Sequence, residues 1–337
     1  MKIKQFKLFQ CCIPVKGIKN GIIIDFQRKI IHKVSNQIID IIKEYSKKNI
    51  YDLFNDFKET KKILKSHIRY FIENELVILS NSIDSYPSLS EDFFSPVILD
   101  SIGIEIENLS ASMENFLKFK IDELGINSIR LILKSQNIEE FIRILVLLET
   151  SKIKAIVLYL EYSATMLLEL NSYVKENPNP RIAKLIFYNF DGQINKNDFD
   201  EKFRFEKLSV NDIFYNETIV SMNDFVLDID VYLEAIKYNL MFNKTLFIDS
   251  FGNIKTHRED STFYGNIKND EIKEIIKNNA FNLFWNISKD QIEVCKDCEF
   301  RYICPDGRIP YKTNSKDPNY KFKTICNYDP YEGKWNS

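Results

Sequence analysis

The sequence predicts a mixed α/β protein, α+β overall, in three parts. Three observations carry that reading. Strand and helix patterns alternate through the middle of the chain, from Asn127 to Phe190, which is the signature of βα units and a parallel sheet. The first 80 residues read instead as a β-hairpin followed by helices. Four of the six cysteines fall after residue 294, at the end of a chain that otherwise almost lacks them.

Bulk properties narrow the function classes. A chain of 337 residues has room for two or three cores. Hydrophobic residues at 45% and charged residues at 28% are an ordinary globular balance. A net charge of −2 supplies no basic field for nucleic acid or anionic lipid. No apolar run reaches the roughly 18 residues of a membrane span. The start, "MKIKQFKLFQCCIPVKG", carries no small-residue cleavage site, so no signal peptide is read. The expectation is a cytoplasmic, reducing compartment, where clustered cysteines bind metal or do redox chemistry.

The elements run in order along the chain. "GIIIDFQRKIIHKV" (Gly21–Val34) alternates around a turn at Gln27–Lys29 and reads as a hairpin. "NQIIDIIKEYS" is a helix with Ile38, Ile41 and Ile42 inward, and "YDLFNDFKETKKILKSHIRYFIENELVILS" holds two more helices and a short strand. A hairpin with three helices over residues 1–80 is a winged-helix pattern, which suits duplex DNA or an extended peptide. Lys61, Lys62, Lys65 and Arg69 form a modest basic stripe diluted by Glu59, Glu73 and Glu75, which argues against DNA. An extended peptide would add to the hairpin edge at Ile22, Ile23 and Ile24, its side chains entering a groove beside Ile38, Ile41 and Ile42. His32 and His67 show no partner and are read as structural.

Residues 81–96, inside "SNSIDSYPSLSEDFFSP", form a linker. Residues 97–240 form a partial βα barrel. A strand near Ile98–Ile106 leads into "ENLSASMENF", and Asn127–Ser135 is the next strand. Asn137 caps a helix, with Glu140 closing a capping box, and Phe141, Leu145 and Leu148 share one face. "KIKAIVLYLEY" (strand), "TMLLELNSYVKEN" (helix), "NPNP" (turn) and "RIAKLIFYNF" (strand) complete the series. Residues 241–337 form the cysteine module, beginning with the hairpin "TLFIDSFGNIKTH". There is no glycine-rich phosphate loop. With three histidines in all, acid–base chemistry on histidine is not expected.

Cys295, Cys298, Cys304 and Cys326 are spaced C-x2-C-x5-C-x21-C. The x2 step lets two sulfurs meet one centre, a turn brings the third, and the fold must return the fourth. Structural zinc and a [4Fe-4S] cluster both use four thiolates. The single C-x2-C pair, with Phe300 and Tyr302 inside the x5 step, favours the cluster. Cys11 and Cys12 are read as adjacent strand residues, whose side chains point to opposite faces and do not chelate one ion.

These residues carry a resemblance. C-x2-C-x5-C with a distant cysteine looks like the auxiliary-cluster half of a SPASM domain, the C-terminal module of many radical SAM peptide-modifying enzymes. "KDQIEVCKDCEFRYICPDGR", "CNYDPYEGKW" and "FKLFQCCIPVKG" resemble the SPASM-domain peptide maturase of grasp-with-spasm systems. The resemblance implies maturation of a ribosomally made peptide beside an ATP-grasp ligase. It further implies leader-peptide recognition by the N-terminal domain, a radical SAM-like barrel, and one auxiliary-type [4Fe-4S] cluster on Cys295, Cys298, Cys304 and Cys326.

The sequence departs from that pattern at three places. Pro305–Arg308 stand where the family carries another cysteine soon after the x5 step. Gly252 leads five residues on to His257 where a cysteine is expected, and His257 is read as exposed after a strand, with a lone metal ligand as the alternative. No C-x3-C-x2-C triplet exists, so the barrel is read as degenerate and S-adenosylmethionine is not an expected cofactor. The competing readings are a redox enzyme acting on the peptide directly and a zinc-bearing winged-helix regulator, the latter disfavoured by charge.

Overall fold

The structure, a computed structural model, describes residues 5–86, 88–193, 199–216 and 220–336. They fall into two compact units: unit 1 is Met1–Phe93, Val220–Leu240 and Ile287–Ser337, and unit 2 is Phe94–Ile219 and Met241–Asn286. The division drawn from the sequence at residue 241 coincides with the break between Leu240 and Met241, but the segment that begins there ends at Asn286 and joins unit 2. Residues 241–286 pack with the central sheet, and the four cysteines belong with the N-terminal residues.

Unit 1 begins with β1 (Gln5–Leu8), β2 (Cys12–Lys16), β3 (Gly21–Asp25) and β4 (Ile30–Val34), then α1 (Asn36–Tyr45), α2 (Ile50–Asp56), α3 (Lys61–Glu73) and β5 (Val77–Ser80). The expected hairpin is β3–β4. Its turn is shaped by Asp25, whose carboxylate accepts the N–H groups of Gln27 and Arg28, each at 3.0 Å. Ser35 and Asn49 cap α1 and α2 through their side chains. β1 pairs antiparallel with β5.

The hairpin is part of an antiparallel sheet in the order β2-β3-β4. This corrects the expected docking edge. β3 is the central strand, both its edges are paired, and Ile22, Ile23 and Ile24 are each 0% exposed. The period-2 alternation of a strand explains their complete burial. Ile23 faces the helices, among Ile38, Ile42, Leu53, Leu64 and Phe71. Ile22 and Ile24 face the other way, among Val15, Phe26, Tyr232, Phe300, Ile303 and Tyr328. On α1, Ile39 is fully buried and Ile41 only half-buried, a rotation of the expected inward face. Pro14 lies on β2, an edge strand, where its missing N–H costs no ladder bond.

The turn between β2 and β3 receives the cysteine segment. Ile18 donates its N–H to the Asp297 carbonyl at 2.7 Å, and Arg301 Nη1 donates to the Lys16 carbonyl at 2.7 Å. A Cβ on Gly17 would stand 2.8 Å from the Glu299 backbone nitrogen and 2.7 Å from its carboxylate. Gly17→Ala is therefore expected to destabilise unit 1 by about 1–3 kcal/mol through overpacking. Thermal unfolding measures this, and an unchanged Tm would refute the close approach.

Unit 2 carries β6 (Ser101–Ile106), α4 (Ala111–Asn115), a π-helical turn Phe116–Lys120, α5 (Ile121–Leu124), β7 (Ser128–Leu133), α6 (Ile138–Leu147), β8 (Ala155–Glu161), α7 (Ala164–Glu176), β9 (Ile182–Tyr188), β10 (Phe203–Phe205) and α8 (Val210–Asn216). After α9 (Ile229–Lys237) of unit 1 come β11 (Thr245–Ile248), β12 (Asn253–Lys255), β13 (Gly265–Asn266) and α10 (Ile272–Ile275), and the chain ends in unit 1 with β14 (Tyr328–Asp329) and β15 (Lys334–Trp335). The sheet order is β10-β9-β8-β7-β6-β11-β12-β13. From β10 to β11 every pairing is parallel, and β12 and β13 add antiparallel. The expected mixed α/β architecture with a large, mostly parallel sheet is thus present. Its strands read as nearly continuous apolar runs because both faces are covered: Ile129, Leu131 and Leu133 enter one core, Ile132, Tyr159 and Ile186 another.

Two local expectations change. Asn137 caps α6 by accepting the Glu139 N–H at 2.9 Å. Glu140 does not close a capping box; its carboxylate accepts the Leu109 N–H at 2.6 Å. The segment after β6 is short, because Ser110 caps α4 through the Met113 N–H and leaves residues 107–110 between strand and helix.

Candidate metal centre

Cys295 opens a single 3-10 turn, Cys295–Asp297, closed by the Cys298 N–H on the Cys295 carbonyl at 3.0 Å. The preceding Val294 has φ 68° and ψ −50°, close to the strained γ-turn region and rare for a β-branched residue. Packing of the next few residues holds the turn there. Phe300 and Ile303 are buried in the core beneath the sheet, with Cys298 and Cys326 packed partly buried against the same cluster. Phe300 stacks on Phe225 at 4.8 Å and meets Tyr328 edge-on at 5.1 Å. The x5 step is therefore an apolar anchor that fixes the loop bearing three cysteines. Arg301 ties it down, donating to the Lys16 and Cys298 carbonyls at 2.7 and 2.8 Å and pairing with Asp290 at 2.8 Å.

The fold returns the fourth cysteine. All four residues are half-buried free thiols. Their fields overlap: Cys295 and Cys304 act on Cys298, and Cys326 acts on Cys304. Burial pushes the Cys295 thiol up to about 12 against the opposing pull of Lys289, and raises Cys298 and Cys304 as well. A buried thiol set of this kind stays protonated until a metal replaces the protons.

A repeated local device prepares these sulfurs to carry charge. The amide N–H of Tyr328 bonds the Cys326 sulfur at 3.4 Å, and the amides of Phe300 and Asp306 pull the thiols of Cys298 and Cys304 toward the thiolate against burial. In each case the donor lies two residues after the cysteine. Such N–H donors stabilise thiolate over thiol, and they tune metal centres held by sulfur.

Buried charge completes the site. Lys289, Asp306 and Arg308 are 6%, 3% and 8% exposed. Arg308 grips Asp306 with Nε at 3.0 Å and Nη2 at 2.5 Å, and Lys289 Nζ lies 3.9 Å from the same carboxylate. Arg308 also donates to the Thr324 carbonyl at 2.5 Å and stacks over Phe322 at 4.2 Å. Two cations and the Asp306 carboxylate stand beside Cys295 and Cys304, while a second buried carboxylate, Glu299 at 2% exposed, acts on Cys298. The residues of "CPDGR" that break the family pattern therefore supply charge. Their types were legible in the sequence; their burial was not, because it depends on packing from residues 289 and 322–324.

The spacing of the sulfurs bears on which metal the site would hold. Tetrahedral zinc with Zn–S of about 2.3 Å sets its sulfurs about 3.8 Å apart. Among the described residues, the group in which three candidate ligand atoms lie within 4.8 Å of one another is Cys11, Cys12 and Asp25. No three of the four C-terminal thiols form such a group among the described residues.

The same geometry corrects the reading of Cys11 and Cys12. β2 begins at Cys12, and Cys11 lies in the turn before it, so the two side chains do not alternate. Their sulfurs are 3.9 Å apart. The histidines differ as well. His257 is not simply exposed; it packs against Phe242 and Phe284 and bonds Thr256 at 2.8 Å, and burial lowers its pKa. His32 has a partner, the Tyr70 hydroxyl at 2.8 Å. Of the expected peptide-binding residues, Ile22–Ile24, Ile38 and Ile42 are core, and Ile41 is half-buried.

In unit 2 the carboxyl ends of the parallel strands, where open α/β sheets bind ligands, carry a charged group missed by sequence reading. Arg258 lies 3.4 Å and Lys134 3.6 Å from Glu105, beside a cavity of about 360 Å³ lined by Asp249 and Lys255 among others. Burial, with Glu161 and Glu105, pushes the Tyr188 phenol up to about 12.

No family model matches the chain, and no curated protein matches it. Three solved structures of Streptococcus suis SuiB show a distant similarity to it. They are SuiB bound to S-adenosylmethionine (10% identity, TM-score 0.37), SuiB bound to its precursor peptide SuiA (11%, 0.37) and SuiB itself (11%, 0.36). Each alignment covers 96% of this chain and 100% of the other. A likeness at this level carries no functional conclusion. Among the described residues no helix is long and apolar enough to cross a membrane.

Proposed function

We propose that this protein takes part in maturing a ribosomally made precursor peptide, recognising its leader and carrying one [4Fe-4S] cluster on Cys295, Cys298, Cys304 and Cys326. The observation that carries the reading is the cysteine site itself. Four half-buried thiols share one locale, Cys326 receives the Tyr328 N–H at 3.4 Å, and Lys289 and Arg308 are buried beside them. The terminal motifs that resemble a SPASM-domain peptide maturase agree with it. A bound cluster would supply electron storage or a rigid cross-link, and the chain's own residues would hold it and balance its charge. An ATP-grasp ligase as the bond-forming partner rests on that resemblance alone.

The leader would not reach Ile22–Ile24. The edge open to it is β4, beside α3, where Ile30, Ile63 and Tyr70 are 45%, 59% and 43% exposed. Main-chain bonds to β4 would set the register, and alternate apolar side chains would enter the α3 side. The test is titration of labelled leader into the full chain, isolated without oxygen. Saturable binding near micromolar, about −8 kcal/mol, is expected, with Ile30→Asp weakening it at least tenfold at unchanged iron content. Reduced protein given S-adenosylmethionine should form no 5′-deoxyadenosine above background. Equal affinity for duplex DNA would support the regulator reading instead, and turnover of S-adenosylmethionine would overturn the degenerate barrel.

A further inference from the structure

We infer that unit 1 holds a second, separate metal site, in which Cys11, Cys12 and Asp25 bind a borderline-soft divalent cation, Zn2+. The site comes from a turn and a strand register. The Cys12 N–H closes onto the Phe9 carbonyl at 3.0 Å, which swings Cys11 out of the strand alternation and brings its sulfur to 3.9 Å from that of Cys12. This is the sulfur–sulfur edge of a zinc tetrahedron, about 3.8 Å for Zn–S near 2.3 Å. Across the sheet Cys12 is paired in register with Asp25. Asp25 is 0% exposed, and one of its carboxylate oxygens lies within 4.8 Å of both sulfurs.

The carboxylate is oriented for such a role. Its Oδ1 accepts the N–H groups of Gln27 and Arg28, and its Oδ2 accepts Arg28 Nη1, all at 3.0 Å. Ligating carboxylates are held in this way by outer hydrogen bonds. Charge balances as well: a divalent ion on two thiolates and one carboxylate carries one negative charge, and the Arg28 guanidinium offsets it. Two sulfurs select zinc over magnesium or calcium, which prefer oxygen. Gln27 Oε1, 3.7 Å from the Cys11 sulfur, is one candidate for the fourth position; the other is a ligand in the adjoining cavity. That cavity, of about 500 Å³, has Cys11 in its wall with Leu8, Phe9, Phe26, Ile78 and Leu227. Three protein ligands and an open fourth position are the arrangement of reactive rather than purely structural zinc.

The test uses the full chain, isolated without oxygen and with its iron content measured. Zn2+ is titrated against a chromophoric chelator, and Cd2+ binding is followed by thiolate-to-metal absorption in the ultraviolet. One equivalent beyond that retained at the C-terminal cysteines is expected. Cys11→Ser, in a half-exposed turn where folding is not at risk, should lose that equivalent and its absorption while keeping wild-type iron and circular dichroism. Asp25→Asn should weaken it at least tenfold. Equal Zn2+ stoichiometry in wild-type and Cys11→Ser protein would overturn the site, as would a Cys11–Cys12 disulfide in the anaerobically isolated chain.

Discussion

Cys298→Ser protein is expected to lose its visible iron–sulfur absorption and its iron, and to lose the fold of residues 287–337 with them. The loop from Cys295 to Cys304 contains a single 3-10 turn after a strained Val294, and the strands beyond it are two residues long. Regular structure contributes little there beyond the packing of Phe300 and Ile303, so on the proposed reading ligation would add to the order. In small modules held by zinc, that contribution is roughly 10–16 kcal/mol. Serine keeps the shape but gives a poor ligand for a soft metal. The same result is expected for Cys295, Cys304 and Cys326, while Cys11→Ser should leave iron unchanged. Iron assay with visible absorption reads the metal, and limited proteolysis reads the fold. Full iron retention in any one of the four serine variants would remove that residue from the centre. A colourless wild-type protein with zinc would replace the cluster.

Residues 1–80 expressed alone are expected not to fold. Their sheet is covered on both faces, and the chain segment covering the second face comes from residues 220–240 and 287–337. Without it, Val15, Ile22, Ile24 and Phe26 become exposed. At about 1.5–3 kcal/mol for each large apolar side chain, four of them sum to roughly 6–12 kcal/mol, as large as the whole stability of an ordinary domain, about 5–15 kcal/mol. The fragment should show unfolded circular dichroism and a collapsed amide spectrum. Well-dispersed amide resonances would show that the N-terminal sheet is an independent domain after all. Leader-binding measurements therefore belong on the full chain.

Much of the fold could be read from local pattern. The hairpin at Gly21–Val34, the helix after Ser35 and the alternation of strands and helices from Ser128 to Tyr188 all derive from period and capping. These are contests between residues a few positions apart, and the chain carries the answer in order. The cysteine spacing likewise marked Cys295, Cys298 and Cys304 as one group, since short loops can close on one centre without help.

What the sequence could not determine was which faces meet across long separations. "GIIID" reads equally as an exposed edge or a central strand, because period 2 assigns faces but not neighbours. Only tertiary packing showed that Ile22 and Ile24 lie under Phe300 and Tyr328, from the far end of the chain. The same holds for Lys289 and Arg308, which sequence alone would leave in solvent but which packing buries beside the thiols. It holds too for Cys11 and Cys12, whose sulfurs converge because a turn ends one residue later than simple alternation assumes. By itself the sequence determined the periods, the caps and the donor types. Tertiary structure decided which donors share a site, because burial and proximity are set by contacts between segments far apart in the chain, and no local period encodes them.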